Sequence, residues 1–521
     1  MSHPRFYIAR SSICVNAAGE TIGDGVFARC NYEPGDFIAS RPRPVLASLE
    51  TERLNDTCAN CFVWTQGSGG SRLYVKEGTK VQACGGCKRF RYCSKACQKE
   101  AWHRGHKHEC KNLRSIGGRE VPKAVLGCME LLVRKKHGLI SDEDWEMLCS
   151  LDAHIEDFKR NGKYGNIELM AMGTSQFSLT QDTFDKDFVA EMYARILANS
   201  LTLITPTLDP LGIMIDSTFC HLNHSCEPNA CLVMDGPVIR LVALDSINKD
   251  EEIYISYIDP TNPSTRRQNE LKERWFFDCK CTKCREGPTQ KEDVFLVNPE
   301  DAPEKCKEYA DSLLQRDDSP ANDPANYIGD SLDERRLAAL QGELFNAYEE
   351  QQRTDDLQHA IRICNNAIDL CSSSGLWPER RQPLPALRDD LIVHLLEAQE
   401  YDQAWAHCSR QCSNSMLVLY NHYHPIKIVQ RWRMAMLAQY LASTNKETVP
   451  GVDMAMTAFT LVHEIELVSK RIYGLDSAFS RSVQEKAAEI QGELSKKYVS
   501  KEDFTAAFSK HKDLLAGKWP N

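Results

Sequence analysis

NHSCEPN, residues 223–229, and EEIYISYID, residues 251–259, carry the reading on which the fold turns. The first sets an amide, an imidazole and a thiol close together at Asn223, His224 and Cys226, and Pro228 then resists any helix. The second is rich in Ile and Tyr and follows the turn-forming Lys249-Asp250, so it reads as a strand over Glu252 to Tyr257. Further on, Cys279, Cys281 and Cys284 form C-x-C-x2-C, three thiolate ligands that need a fourth. Cys226 is the expected donor. A zinc ion held this way would pin the segment after Trp275 against the 223–229 loop and assemble a pocket from two distant stretches.

Upstream, between Cys58 and Cys110, stand C-x2-C, C-x2-C, C-x3-C and H-x3-C. The ligands expected are Cys58, Cys61, Cys84, Cys87, Cys93, Cys97, His106 and Cys110, with His103 or His108 as alternatives to His106. Gaps of two or three residues let one short turn offer both ligands to one ion, and eight ligands make two closed tetrahedral sites. A segment of this size with few large apolar residues builds no adequate core, so metal binding supplies most of its folding free energy. The 22 cysteines of the 521 residues are too unevenly placed for a disulfide scaffold.

The order of ligand types resembles the MYND zinc finger. That resemblance implies interleaved sites, Cys58, Cys61, Cys93 and Cys97 on one zinc, Cys84, Cys87, His106 and Cys110 on the other. The gap from Cys61 to Cys84 is longer than the finger usually has, and its GSGGS reads as a surface loop. With NHSCEPN and EEIYISYID behind it, the chain over roughly residues 1 to 290 resembles the SET and MYND domain family of protein-lysine methyltransferases. The resemblance implies an α+β fold, a SET-domain β core split by the finger and a helical insertion, followed by an all-α TPR-like domain. It also implies S-adenosylmethionine as methyl donor, three zinc ions, and a protein lysine, histone or non-histone, entering from the opposite face through a narrow aromatic channel.

Residue by residue, the resemblance assigns the cofactor to Gly23, Asp24, Gly25, His154, Asn199, Asn223, His224, Tyr257 and Phe277. Read for themselves, the glycines of the GDG stretch let backbone approach a ligand closely. Asp24 departs from the Asn or basic residue that the family often has between those glycines. Asn199 also reads as a helix cap, Phe277 as core and His154 as a surface residue. Tyr257 is the expected catalytic residue, and Trp275 the expected second wall of the substrate channel. Methyl transfer to an amine is an in-line displacement that rests on positioning and on a neutral amine, so a hydroxyl that orients the lysine nitrogen in a water-poor channel suffices.

The expected units are 1–55, the first part of the SET domain; 56–112, the finger; 113–195, the helical insertion; 196–275, the SET core; 276–290, the post-SET zinc segment; and 301–521, the helical domain. Strands are expected over 25–30, 36–40, 238–244 and 252–257, between turns at Pro34-Gly35 and Asp235-Gly236. From 121 to 203 apolar residues recur at helical spacing. After the polar, proline-punctuated stretch 285–303, helices are expected over 384–399, 401–412, 427–441 and 454–473. The TPR repeat pattern W-x2-L-G-x2-Y is absent, so the stack rests on helix lengths and the resemblance.

A net charge of -10 opposes non-specific binding of nucleic acid by the whole protein. The finger is nonetheless basic through Lys88, Arg89, Arg91, Lys95, Lys99, Arg104 and Lys107, a patch for nucleic acid or an acidic protein surface, or a solvated face. No apolar run approaches eighteen residues and the N-terminus lacks an apolar signal stretch, so no membrane partner is expected. Thiols reserved for zinc fit the cytoplasm or nucleus. A monomer is expected, with peptide partners for the finger and the helical stack. The rival reading is an adaptor whose SET part is vestigial; the ligand spacing does not match tandem DNA-reading fingers.

Overall fold

The computed structural model describes residues 5–13, 23–65, 75, 78–287, 304–316, 332–374, 377–414, 419–444 and 451–515. The GSGGS stretch and most of the 285–303 linker lie outside them. Among the described residues twelve short strands build the first half: β1 (Phe6–Arg10), β2 (Asp24–Ala28), β3 (Phe37–Arg41), β4 (Leu46–Leu49), β5 (Gln82–Ala83), β6 (Arg91–Tyr92), β7 (Leu201–Ile204), β8 (Pro210–Ile215), β9 (Asn223–His224), β10 (Ala230–Asp235), β11 (Val238–Ala243) and β12 (Tyr254–Ile255). They pair as β1-β2, β10-β11-β3, β4-β8-β7, β5-β6 and β12-β9, and only the last pair is parallel. This is the α+β architecture expected, a set of small sheets followed by a helical second half.

The strand expected over 252–257 is paired only at Tyr254–Ile255. Its partner is two residues long, and two residues past Ile255 the backbone N–H of Tyr257 donates to the side chain of His224. The expected turns carry the backbone such turns demand, with positive φ at Gly35, Gly236 and Asp250. Helices at Lys123–Lys136, Asp142–Ser150, Ile155–Arg160, Tyr164–Ser178 and Lys186–Asn199 form the insertion, and they share one core with the sheets and the finger.

Beyond residue 303 helices run at Glu304–Leu314, Leu332–Arg353, Leu357–Ser374, Leu384–Glu397, Tyr401–Asn414, Pro425–Ser443, Met454–Ile472, Ala478–Lys497 and Lys501–Leu515. Their own core centres on residues such as Trp432, which is 1% exposed. Side chains alternate across a strand, and β10 and β11 use both faces. Val233 and Val242 join the helical core, whereas Met234, Ile239 and Leu241 join the first core. The two halves are tied further by Tyr473 Oη donating to the Pro206 carbonyl at 2.8 Å, Arg240 Nε donating to the Ile472 carbonyl at 3.1 Å, and the Ala478 N–H donating to Asp235 Oδ2 at 2.6 Å. Among the described residues no helix is long and apolar enough to cross a membrane.

Candidate active site and metal groups

Three groups of thiols and one imidazole are brought together: Cys58, Cys61, Cys93 and Cys97; Cys84, Cys87, His106 and Cys110; and Cys226, Cys279, Cys281 and Cys284. In each, the ligand atoms lie within 4.8 Å of one another. Four sulfurs at about 2.3 Å from one zinc would stand roughly 3.8 Å apart. The observed separations are close to that, at 3.5 Å for Cys61–Cys93 and Cys93–Cys97, 3.8 Å for Cys84–Cys110 and 3.5 Å for Cys226–Cys284. The donor sets therefore fit a tetrahedral metal.

Local structure explains each placement in the finger. Ser94 caps the helix Lys95–Ala101 by accepting from the Cys97 N–H, which aims Cys97 back at Cys93. Gly86 has no Cβ because one would sit 2.6 Å from Cys110 Sγ. His106 takes the histidine place: its Nε2 stands 3.4 Å from Cys84 Sγ and 3.6 Å from Cys87 Sγ, while Nδ1 meets buried Glu109 at 3.0 Å. A carboxylate on the far nitrogen fixes the tautomer and the ring plane. His108 instead stacks on His137, ring centres 3.7 Å apart.

The second centre grows from the β9-β12 pair, which sets Asn223 beside Tyr254 and His224 beside Ile255. The Tyr257 N–H donates to His224 Nδ1 at 3.0 Å, so the ring proton belongs on Nε2, which points at Cys226 Sγ at 3.3 Å. Burial lowers the His224 pKa to about 4, so the ring is neutral. His224 thus spends both nitrogens inside the protein, joining the third thiol group to the backbone of Tyr257. The Tyr257 hydroxyl donates to the Leu222 carbonyl at 2.7 Å, and its ring lies 5.3 Å from that of Trp275. Trp275 and Phe277 flank a small core of Cys226, Ile258, Leu271, Cys279 and Cys281, so the third thiol group also holds the aromatic wall.

Tyr257 and Trp275 open into a mostly apolar cleft of about 400 Å³. Ser200, Met214 and Ile255 line one side, and Tyr420, His424 and Ile426 of the helical half line the other. Asp259 also lines it; burial raises its pKa above the ordinary carboxylate range, and it accepts from the Thr261 hydroxyl at 2.6 Å.

A family model described as "SET domain" matches residues 23–258. The SET domain and MYND-type zinc finger protein 6 of Schizosaccharomyces pombe is 32% identical over 271 residues, 52% of this chain and 51% of that protein. Histone-lysine N-methyltransferase ASHR1 of Arabidopsis thaliana is 24% identical over 92% of this chain and 95% of its own length, and human histone-lysine N-methyltransferase SMYD3 is 27% identical over 68% and 78%. Over residues 23–258 this chain carries a SET domain, and it is similar to SET and MYND domain proteins. The chain spans about half the length of the fission-yeast relative and nearly all of the plant one.

In this SET-domain chain the remaining sequence-derived candidates are held by contacts of their own. Asn199 Nδ2 donates to the Asp152 carbonyl at 2.9 Å, and the Asn199 carbonyl accepts from Cys220 Sγ at 3.4 Å. Asn199 ends a helix, yet its amide ties the helix to the 152–154 segment. His154, at φ 49°, bonds Asp157 through Nδ1 at 3.0 Å, and its ring packs 5.1 Å from Phe276. Phe277 faces His224 at 6.1 Å. The Gly23 carbonyl accepts from the Ser11 N–H at 3.0 Å, and the Asp24 carboxylate pairs outward with Arg10 at 3.2 Å. Sequence reasoning passed over Phe276, which joins Phe158 and His154. It also passed over Glu252, which is 5% exposed. Phe276 stands between the flagged Trp275 and Phe277; an acidic residue in a strand that faces a cofactor loop was the signal for Glu252.

Proposed function

We propose that this chain transfers a methyl group from S-adenosylmethionine to the side-chain amine of a lysine in another protein, histone or non-histone. Relatives named histone-lysine and N-lysine methyltransferases support that class of reaction. The observation that carries the reading is the place of Tyr257. Its backbone is held by His224 of the NHSC strand, its hydroxyl by the carbonyl before that strand, and its ring stands at the aromatic end of the cleft.

When bound, S-adenosylmethionine supplies a sulfonium methyl open to in-line attack by an amine. Gly23, Asp24, Gly25, Asn199, Asn223, His224, Phe277 and His154 form the wall that holds it, mostly through backbone and amide groups. The substrate lysine enters from the opposite side, between Tyr257 and Trp275. Its ammonium, of reference pKa about 10.4, must lose a proton, and an apolar, water-poor channel favours the neutral amine. The Tyr257 hydroxyl, fixed by the Leu222 carbonyl, orients the nitrogen, and positioning of that kind is where such a displacement gains its rate. The three Cys/His groups each hold zinc, two in the finger and one beside Tyr257, and all three are structural. The helical half supplies one wall of the substrate cleft, and the chain works as a monomer in the cytoplasm or nucleus, where thiols stay reduced.

The test is transfer of labelled methyl from S-adenosylmethionine to a protein mixture by the zinc-loaded chain. Wild type labels lysine; Tyr257→Phe loses roughly a hundredfold or more in rate, on the scale of losing an oriented hydroxyl. It keeps its zinc. A folded, zinc-replete wild type that neither labels lysine nor binds S-adenosylmethionine would leave an adaptor in place of an enzyme.

A further inference from the structure

We infer that Glu252 is the positioning residue of the cofactor wall, acting through Asn223; the inference rests on the proposed use of S-adenosylmethionine. The carboxylate is buried, 5% exposed. It accepts from three neutral donors: Asn223 Nδ2 at 2.8 Å, Ser11 Oγ at 2.9 Å and Tyr254 Oη at 3.0 Å. A buried acceptor that gathers three donors fixes the direction of each group that donates to it.

One of these groups is an amide. Asn223 Nδ2 gives one hydrogen to Glu252 and the other to the Asp24 carbonyl at 3.0 Å. A rotated amide would set its oxygen against a carboxylate and a carbonyl at once, so Glu252 locks Oδ1, the side chain's only acceptor, into the opposite direction. An acceptor held that way suits the ammonium of the methionyl end of the cofactor. Gly25 completes the arrangement: a Cβ there would run into the Glu252 carboxylate and come 3.0 Å from Asn223 Nδ2. The second glycine of GDG therefore makes room for Glu252, an intramolecular reason for a residue first read as room for a ligand.

The test is a double-mutant cycle on the full zinc-loaded chain, titrating S-adenosylhomocysteine by calorimetry into wild type, Glu252→Gln, Asn223→Ala and the double variant. Glu252→Gln should weaken binding roughly tenfold in the wild-type background and less than about twofold beside Asn223→Ala, because the two act as one unit. In turnover it should raise the KM for S-adenosylmethionine and leave kcat nearly unchanged. An equal loss in both backgrounds, or no loss in either, overturns the inference while the enzyme reading stands. A wild type that binds nothing overturns both. Should Glu252→Gln fail to fold, Ser11→Ala with Tyr254→Phe removes two of the three donors. This pair should weaken binding roughly threefold and show the same dependence on Asn223; equal losses with and without Asn223 overturn the inference.

Discussion

The finger, residues 58–110, and the helical half, residues 304–515, are both compact, yet they are held by opposite means. Seven thiols and one imidazole within about fifty residues fix the first, and among its described residues the regular structure amounts to a two-residue hairpin and short helices. The second has no metal group among its described residues and buries whole helix faces around Trp432, Leu391 and Phe479. Cohesion in the finger comes from a few strong directional bonds, and in the helical half from many weak contacts. The difference sets how each region should fail.

Metal removal is the sharpest way to break the comparison. Structural zinc contributes about 10–16 kcal/mol in isolated fingers, so a strong chelator should strip amide-exchange protection from residues 84–110 and leave the helices at 425–443 and 454–472 protected. Protection surviving in the zinc-free finger would contradict it. Trp432→Ala should do the converse, costing about 3–5 kcal/mol in the helical half while full zinc content is retained by metal analysis. Its indole is fully buried and packs edge-on against Phe479 at 5.6 Å.

Acid should weaken the helical half through His424. Burial lowers the pKa of His424 to about 4, whereas the unfolded chain has the ordinary value of about 6.5. The unfolded state therefore binds the extra proton first. The stability this histidine contributes is complete above pH about 6.5 and falls away toward pH about 4, by up to about 3 kcal/mol. Urea unfolding at stepped pH should show that slope, and His424→Gln should flatten it. The smallest expected effect lies where the halves meet. Tyr473→Phe removes the hydrogen bond to the Pro206 carbonyl and should cost about 1 kcal/mol in denaturant unfolding, with zinc content unchanged.

Legibility follows the same division. The finger's ligands could be read because each pair lies within one turn, so spacing along the chain is distance in space. Tyr257 and Asn223 were legible as members of two short stretches. The roles of His224 and Glu252 were not, since each depends on partners far along the chain: Tyr257 is 33 residues from His224, and Ser11 is 241 from Glu252. The helical spacing expected to run to residue 203 stops at Asn199 and β7 begins at Leu201, because a short apolar run directly after an apolar helix cannot be told from it by periodicity alone. The helix bounds at 384–397 and 454–472 were readable to within two residues of those expected, since amphipathic spacing is local.

By itself, then, the sequence determined which cysteines and which histidine come together in three groups, and the order of β core, finger, helical insertion and helical stack. All of these are written in spacings of a few residues. Only the tertiary structure decided that His224 turns inward to join a thiol to Tyr257, that Asp24 pairs outward with Arg10, and that Gly25 leaves room for Glu252. It also decided that Tyr420 and His424 of the helical half close the cleft over Tyr257. A side chain's direction is chosen by hydrogen bonds and packing across the whole fold, and those partners are not neighbours in the chain.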